Sequence, residues 1–201
     1  MDQHIRLFGN RESGHAYKVR LMLALAQLPH EYEEVDLGLP RDARPEPFQA
    51  LARFGEVPLL VHAGRAYAQS NAILLHLAAH SGAFEGDGFE HAEAVREWLF
   101  WEAHGIGFSL PSLRRGLIVG GVDPAVIAML RARCEADLAR LEAELADARA
   151  FILGQAPTVA DIALCAWLHW AEQAALALPP HTRAWLDRIA ALPGWRHPYD
   201  F

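Results

Sequence analysis

The sequence predicts an α/β domain followed by an all-helical domain, and three observations lead to this prediction. Up to about Ser81, short apolar runs typical of strands alternate with longer segments of helical periodicity. Residues 82–88 are rich in glycine and predict a linker. Beyond them, apolar residues recur at helical intervals and no convincing strand remains. We therefore predict domains at residues 1–81 and 89–201.

The elements of the first domain follow one another in a thioredoxin-like order. Residues 5–8 form a short strand-like run, and the segment that begins at Ser13 leads into an apolar helical pattern. Residues 57–61 are apolar and rich in strand formers, and the Ala-Gly-Arg at 63–65 predicts a tight turn after them. The predicted set is strand 4–8, helix 15–27, strand 31–35, helix 45–52, strand 57–61, strand 65–67 and helix 70–80.

The second domain is predicted to be a helix bundle. One long helix carries a single apolar stripe with arginines and glutamates opposite, made of Val126, Leu130, Cys134, Leu138, Leu141 and Leu145. Residues 162–176 are apolar nearly all round, which is typical of a helix buried at the centre of a bundle. Just before it, Thr158 and Asp161 have the spacing of a capping box, in which each side chain satisfies a backbone N–H of the helix start.

Composition limits the class of protein. The chain has 201 residues, 52% of them hydrophobic and 21% charged, which is ordinary for a globular protein. Its 18 basic and 25 acidic residues give a net charge of −7, spread along the chain, so a nucleic-acid partner is not expected. No apolar segment reaches the ~20 residues of a membrane span, and residues 1–6 show no leader pattern, so we expect a cytoplasmic location. Both cysteines fall in helical patterns and predict reduced core thiols.

Two dipeptides carry the strongest functional signal. Pro58 lies near the start of a predicted strand although it has no N–H for a sheet, and a cis Val57-Pro58 bond would turn the backbone of Val57 toward a ligand. Ser70 begins an apolar helical run, so its hydroxyl and the first-turn N–H groups can bind a carboxylate, with the amide of Gln69 beside it. Taken singly, each residue could instead end a loop or cap a helix.

The order of these motifs resembles the glutathione transferase family, in which a strand-initiating Val-Pro and a Glu/Gln-Ser dipeptide bind the tripeptide. Residues 13–25 resemble the family's active-site loop and first helix, and Gly154 with residues 158–163 resembles its buried capping box. The resemblance implies the fold of that family, glutathione as cosubstrate and a homodimer. It also implies a binding site made of Ser13, Glu56, Val57, Pro58, Gln69 and Ser70.

Ser13 is the candidate catalytic residue. It precedes the first predicted helix, where unpaired N–H groups and the helix dipole favour an anion. In serine-type members of the family, such as the zeta and theta classes, a hydroxyl here hydrogen-bonds the glutathione sulfur. A free thiol titrates near pH ~8.5, so a charge-assisted hydrogen bond and a helix end could make the thiolate predominate near neutrality. The alternative is that Ser13 only caps the helix.

Three residues near Ser13 bear on the choice of the group that activates the glutathione sulfur. Asn10 could reach the same sulfur as a donor, whereas Tyr17 lies inside the predicted helix and is assigned to packing. His15 occupies a position where some relatives carry a cysteine, so chemistry that needs an enzyme thiol, such as a mixed disulfide with glutathione, is not expected.

The acceptor pocket is placed on the first helix of the bundle. Asn10 and His15 are assigned to it from the first domain. From the bundle we assign Trp101, His104 and Phe108, which share one face of the first bundle helix by their spacing. Core or dimer packing is the alternative for these rings. Gly105, Gly107 and Pro111 predict a bend close by.

The sequence therefore predicts a glutathione transferase that adds glutathione to a small hydrophobic electrophile. Glutathione-dependent isomerisation or dehalogenation is an alternative, because the same thiolate could add and later leave. A noncatalytic binding protein on the same fold is the other alternative. No metal is expected, since His76 and His80 share a helical face but no third ligand is evident.

Overall fold

The computed structural model describes residues 4–147 and 149–201. Contacts divide the chain into two compact units, of which the first holds the residues up to Ala83 together with Pro193–Phe201, and the second is Phe84–Leu192. The last nine residues thus group with the first unit, whereas the sequence assigned them to the second domain. This grouping follows from contacts such as the 2.8 Å hydrogen bond that the Tyr17 hydroxyl donates to the Arg196 carbonyl.

The first unit is a mixed four-stranded sheet with helices, as the sequence predicts. Its elements are β1 (Ile5–Gly9), α1 (Gly14–Leu25), β2 (Glu31–Glu34), α2 (Glu46–Leu51), β3 (Leu59–His62), β4 (Arg65–Ala68) and α3 (Ser70–Ser81). The strand order is β2-β1-β3-β4, with β1 parallel to β2 and antiparallel to β3, and β3 antiparallel to β4. Most bounds agree with the predicted ones to within two residues.

The sheet buries a small apolar core. Phe8, Val35, Phe48 and Leu59 form one buried cluster, in which the rings of Phe8 and Phe48 lie 5.9 Å apart. The predicted strand at 57–61 is displaced, because strand pairing begins only at Leu59, which pairs with Phe8 of β1. The two residues before it belong to the approach to the strand, where the Val57-Pro58 peptide bond is cis.

The second unit contains five longer helices in its described part: α4 (Gly88–His104), α5 (Ile106–Val119), α6 (Pro124–Glu144), α7 (Val159–Leu168) and α8 (Pro180–Ala190). All ten residues of α7 are buried, which confirms the predicted buried helix. Its predicted end at residue 176 is wrong, because the helix stops at Leu168 and a turn with a short 3-10 segment, Glu172–Ala174, follows. The capping box of Thr158 and Asp161 is present as predicted.

The apolar stripe of α6 is confirmed except at its first member. Leu130, Cys134, Leu138 and Leu141 are buried, whereas Val126 is 41% exposed. Val126 lies in the first turn of α6, close to Pro124 where the helix begins. Both cysteines are free and buried, as expected of core thiols. Within the described residues, no helix combines the length and apolar content of a membrane span.

Candidate functional site

Ser13 is the N-cap of α1. Its hydroxyl accepts a hydrogen bond of 3.2 Å from the Ala16 N–H, and its own N–H donates to the Asn10 carbonyl at 3.0 Å. The cap bond uses an acceptor lone pair of the hydroxyl, so the hydroxyl proton can still be donated to another group. The side chain is half-buried at the positive end of the helix. The predicted cap role is thus present, and it is compatible with a donor role.

The loop before Ser13 is held by the amide of Asn10. That amide donates to the Val35 carbonyl at 2.9 Å, and its oxygen accepts from the Glu12 N–H at 2.9 Å. A second restraint is the 2.9 Å bond from the Arg11 N–H to the Glu34 carboxylate. Both ends of the Asn10 amide therefore have structural partners.

The chain terminus packs on the same region of the first unit. The Tyr199 hydroxyl donates to the Glu12 carboxylate at 3.1 Å, and the ring of Phe201 lies edge-on to Tyr17 at 6.0 Å. With its hydroxyl bonded to Arg196, Tyr17 is a packing residue, as the sequence predicts. His15 lies half-buried in the first turn of α1.

The second predicted cluster lies at the start of α3. Ser70 is the first residue of that helix and only 9% exposed. Gln69 precedes it with a φ of 69° and a ψ of 110°, and its side chain makes no cap hydrogen bond to the first turn. Its amide instead lies 3.5 Å from the Glu56 carboxylate. Helix starts of this kind leave N–H groups for a ligand, and the positive helix end favours an anion there.

Lys18 links the two helices that carry the serines. Its side chain is fully buried, and its ammonium group donates a 2.7 Å hydrogen bond to the Asn71 amide oxygen. Lys18 is the fifth residue of α1 and Asn71 the second residue of α3. The two packed helices therefore have their N-terminal ends, and with them Ser13 and Ser70, at the same end of the pair.

Sequence reasoning did not identify Lys18 or Asn71. A lysine in a helix is most often solvated, and nothing local shows that its side chain is buried. The one available signal is its position between the apolar residues Tyr17 and Val19, at the start of a mostly apolar helix.

The bundle residues assigned to an acceptor pocket do not lie on one continuous helix. The chain breaks at Gly105, which has φ −88° and ψ −115°, so His104 ends α4 and Phe108 lies in α5. The prediction of one shared face for Trp101, His104 and Phe108 is therefore wrong. The break at Gly105 agrees with the predicted bend, whereas Pro111 does not interrupt the helix, since α5 runs through it. Trp101 is half-buried with its ring 5.3 Å from that of Trp98.

Arg133 nonetheless brings His104 and Phe108 together. Its guanidinium donates to the His104 carbonyl at 2.8 Å and lies 6.0 Å from the centre of the Phe108 ring, which is 52% exposed. On the same helix, Asp137 accepts from the Ser109 hydroxyl at 2.9 Å. Burial raises the pKa of Asp137 above its ordinary value, against the opposing effects of that hydrogen bond and of Arg133.

His76 and His80, weighed as metal ligands, pack against His62 instead. His62 Nδ1 and His76 Nε2 are 2.9 Å apart, and the rings of His62 and His80 are 4.4 Å apart. Burial lowers the pKa of both His62 and His76, and neighbouring positive charge, including that of Arg65 for His76, lowers it further. Among the residues that the structure describes, no group of three histidines, cysteines or acids is arranged to bind a metal.

The fold and these serines define a class of protein: a thioredoxin-like domain followed by an all-helical domain, with two helix starts able to hold an anion. The family model described as the glutathione S-transferase N-terminal domain matches residues 13–80. The model of the glutathione S-transferase C-terminal domain matches residues 124–188. The chain belongs to the glutathione S-transferase family.

The names of two relatives describe different activities. Glutathione S-transferase 3 of Zea mays is 30% identical over 208 aligned residues, covering 96% of this chain and 91% of the relative. The disulfide-bond oxidoreductase YfcG of Escherichia coli K12 is 29% identical over 198, covering 92% and 89%. Among solved structures, a glutathione S-transferase from Xanthobacter autotrophicus Py2 superimposes with a TM-score of 0.87 at 32% identity, covering 98% of this chain and 97% of that one.

Proposed function

We propose that this protein is a serine-type glutathione transferase, which binds glutathione in its first domain and uses Ser13 to hold the sulfur as a thiolate. The observation that carries the proposal is that Ser13 and Ser70 stand at the starts of two packed helices whose N-terminal ends lie together. Glutathione, a tripeptide, extends over about 10 Å at ~3.3 Å per residue. Because its glutamate is joined through the side-chain carboxyl, it carries a carboxylate at each end with the thiol between them. Two helix starts suit such a ligand.

In this proposal the binding groups divide by chemistry. Ser70 and the first-turn N–H groups of α3 bind a carboxylate of glutathione, with Gln69 and Glu56 beside it. The backbone of Val57, before Pro58, binds the peptide part of glutathione. Val57 precedes the strand pairing, which begins at Leu59.

Ser13 would act as a donor rather than as a base. Its hydroxyl already accepts from Ala16, so its proton is available to the thiolate sulfur. A hydrogen bond to a charged group contributes about 1.5–3 kcal/mol, which corresponds to a thiol pKa lowered by about one to two units at ~1.36 kcal/mol per unit. The thiolate then adds to a small hydrophobic electrophile. Asn10 is a weaker candidate, because both ends of its amide have partners in the loop.

Calorimetric titration of glutathione tests the binding site. We expect micromolar-to-millimolar binding by the wild type and a loss of at least tenfold in Ser70→Ala. Ser81→Ala is the matched control, since it makes the same substitution at the other end of α3 and should leave the affinity unchanged. No binding by the wild type would refute the proposal and support a noncatalytic interaction protein.

The ultraviolet absorbance of bound glutathione thiolate, followed against pH, tests the role of Ser13. Ser13→Ala should raise the thiol pKa by one to two units. Ser13→Asp separates the two roles of the hydroxyl, because aspartate is a good N-cap but has no proton to donate. We expect Ser13→Asp to fold as stably as the wild type and to lose the thiolate band. Retention of the band in both variants would assign activation to another group, with Asn10→Ala as the next variant.

Glutathione-dependent disulfide reduction is a second candidate, favoured by the similarity to YfcG. Cys134 and Cys165, the chain's two cysteines, are buried, so the enzyme itself offers no exposed thiol. The glutathione thiolate would attack one sulfur of a substrate disulfide and release the other as a thiolate. A second glutathione would then attack the mixed disulfide, giving glutathione disulfide and the reduced substrate. Parallel assays with an aryl halide, a haloalkane, a cis-alkenyl diacid and a small disulfide separate transfer, dehalogenation, isomerisation and reduction.

We further propose a homodimer, a role in detoxification and a cytoplasmic location, as the family resemblance implies. Asn10, His15, Trp101, His104 and Phe108 remain the proposed acceptor-pocket residues. The division into a domain at residues 1–81, a linker at 82–88 and a domain at 89–201 likewise remains our proposal. Sedimentation of the purified protein tests the dimer.

A further inference from the structure

We propose that Lys18 is a positioning residue of the glutathione site, which fixes the start of α3, and with it Ser70, through the hydrogen bond to Asn71. This inference rests on the proposed function, since it assigns a role toward the same bound glutathione. In this role Lys18 does not touch the ligand.

The burial of Lys18 is the first step of the argument. Its side chain is fully buried, and its sequence neighbours in α1, Tyr17 and Val19, are buried as well. Removing an ammonium group from water is costly unless hydrogen bonds compensate for the lost hydration. Lysine side chains lean toward the N-terminal end of their helix. The ammonium group is therefore directed toward the helix end where Ser13 lies, and there it bonds Asn71 at 2.7 Å.

The two serines differ in how they are held, which is the second step. Ser13 is fixed by its own loop, through the Asn10 amide and the bond to Ala16. The start of α3 is held differently. Gln69 has a positive φ, and its side chain makes no cap hydrogen bond to the first turn. The distance from its amide to the Glu56 carboxylate is 3.5 Å, which is long for a hydrogen bond. The charge-assisted bond from Lys18 is shorter and connects residues 53 positions apart.

The consequence for glutathione follows from its size. A ligand bound at both Ser13 and Ser70 requires a fixed separation between two helix starts. Misplacement by ~1 Å can cost a catalytic site about a hundredfold, so loss of the link should weaken the binding of glutathione. Because the link acts on α3, its loss should be felt through Ser70 and not through Ser13.

The test compares variants of both partners of the bond. Lys18→Met keeps the length of the side chain without its donors, and Asn71→Leu keeps the shape without an acceptor. We expect each to raise the dissociation constant of glutathione about tenfold. Asn71→Asp keeps an acceptor oxygen for Lys18 and should stay within about twofold of the wild type. Thr182→Val, a buried change at α8 in the other unit, controls for a general loss of stability.

A double-mutant cycle distinguishes positioning from mere support of the fold. In a Ser70→Ala background, Lys18→Met should change the affinity for glutathione by less than threefold, whereas in a Ser13→Ala background it should keep its tenfold effect. Hydrogen exchange without glutathione should be faster in the first turn of α3 in Lys18→Met and unchanged in β1. Unchanged affinity in Lys18→Met and Asn71→Leu, or equal effects in both serine backgrounds, would overturn the inference. Failure of the wild type to bind glutathione would instead refute the proposed function itself.

Discussion

Replacement of Asp161 by alanine should be among the most damaging single changes in the second unit. Its carboxylate is buried, with 1% of the residue exposed, at the start of α7. It accepts hydrogen bonds from the Ile152 N–H at 2.8 Å, the Thr158 N–H at 2.8 Å and the Trp185 indole N–H at 2.9 Å. One side chain thus joins the helix start, the preceding loop and α8.

The cost follows from the donors that alanine would leave behind. A buried donor without a partner costs about 1–3 kcal/mol, so three of them give an upper range of about 3–9 kcal/mol. Local relaxation and entry of water reduce this, and we expect about 4 kcal/mol. Domains are stable by only about 5–15 kcal/mol, so Asp161→Ala should be largely unfolded well below the temperature at which the wild type unfolds. Thr158→Val is the matched control, because it removes only the cap hydroxyl and should cost about 1 kcal/mol.

Urea unfolding, followed by tryptophan fluorescence and by far-ultraviolet circular dichroism, measures both changes. The two probes should give the same midpoint if unfolding is two-state. A loss below about 2 kcal/mol in Asp161→Ala, or one no larger than that of Thr158→Val, would refute the view that Asp161 is the central hydrogen-bond acceptor of this unit.

Three further predictions concern other parts of the chain. Gly107→Ala should lower the melting temperature by about 2–12 °C, because a Cβ there would lie 2.8 Å from the Glu102 carbonyl oxygen, and overpacking costs about 1–3 kcal/mol at ~2–4 °C per kcal/mol. Stability should fall as the pH drops below about 6.5, because the pKa values of His62 and His76 are lowered in the folded protein and the unfolded chain therefore binds protons first. Thermal melts from pH 7.5 to 5.5 should show this fall, and the melting temperature should depend less steeply on pH in His62→Gln. Deletion of residues 198–201 should raise the thiol pKa of bound glutathione by less than Ser13→Ala does, because it removes the tail's hydrogen bond to Glu12 and its ring contact with Tyr17 but leaves the Ser13 hydroxyl in place; an unchanged pKa would exclude a role of the tail in holding the loop before α1.

Local sequence signals predict a structural feature correctly where that feature requires particular residue types within a few positions. Pro58 in front of a strand predicts an unusual backbone at that point, and the structure has a cis bond there. Thr158 with Asp161 predicts a capping box, because the motif is read within four residues. The order of strands and helices in the first domain was equally readable, since hydrophobic periodicity there is bounded by turn residues.

Features decided by distant contacts could not be predicted in this way. Helix α7 ends at Leu168, and no glycine or proline closely follows that residue. The sequence therefore does not mark the end of the helix. Gly105, Gly107 and Pro111 predict a bend, and the chain does break at Gly105, yet α5 runs through Pro111. Pro111 lies in the sixth position of α5, where the carbonyl that loses its partner belongs to Gly107. The burial of Lys18 depends on α3, which is 53 residues away.

The backbone of Gln69 offers a way to separate a functional residue from a structural one. A φ of 69° with a ψ of 110° is unfavourable for any residue with a Cβ, and such conformations cost about 1–3 kcal/mol and cluster at ligand-binding positions. Gln69→Gly should therefore stabilise the protein by up to about 1 kcal/mol, after the entropy of glycine in the unfolded chain is subtracted.

The same change should weaken glutathione binding severalfold, because the amide of Gln69 and the rigidity of the turn before Ser70 are both lost. Ala63→Gly is the matched control: Ala63 also has a positive φ of 50°, in the turn between β3 and β4, and glycine there should raise stability without changing affinity. Chemical denaturation and calorimetric titration on the two variants give the four values needed. If Gln69→Gly gains stability and keeps its affinity, the strained turn has no part in binding glutathione. If stability and affinity move in opposite directions only at Gln69, the strain is maintained for the ligand.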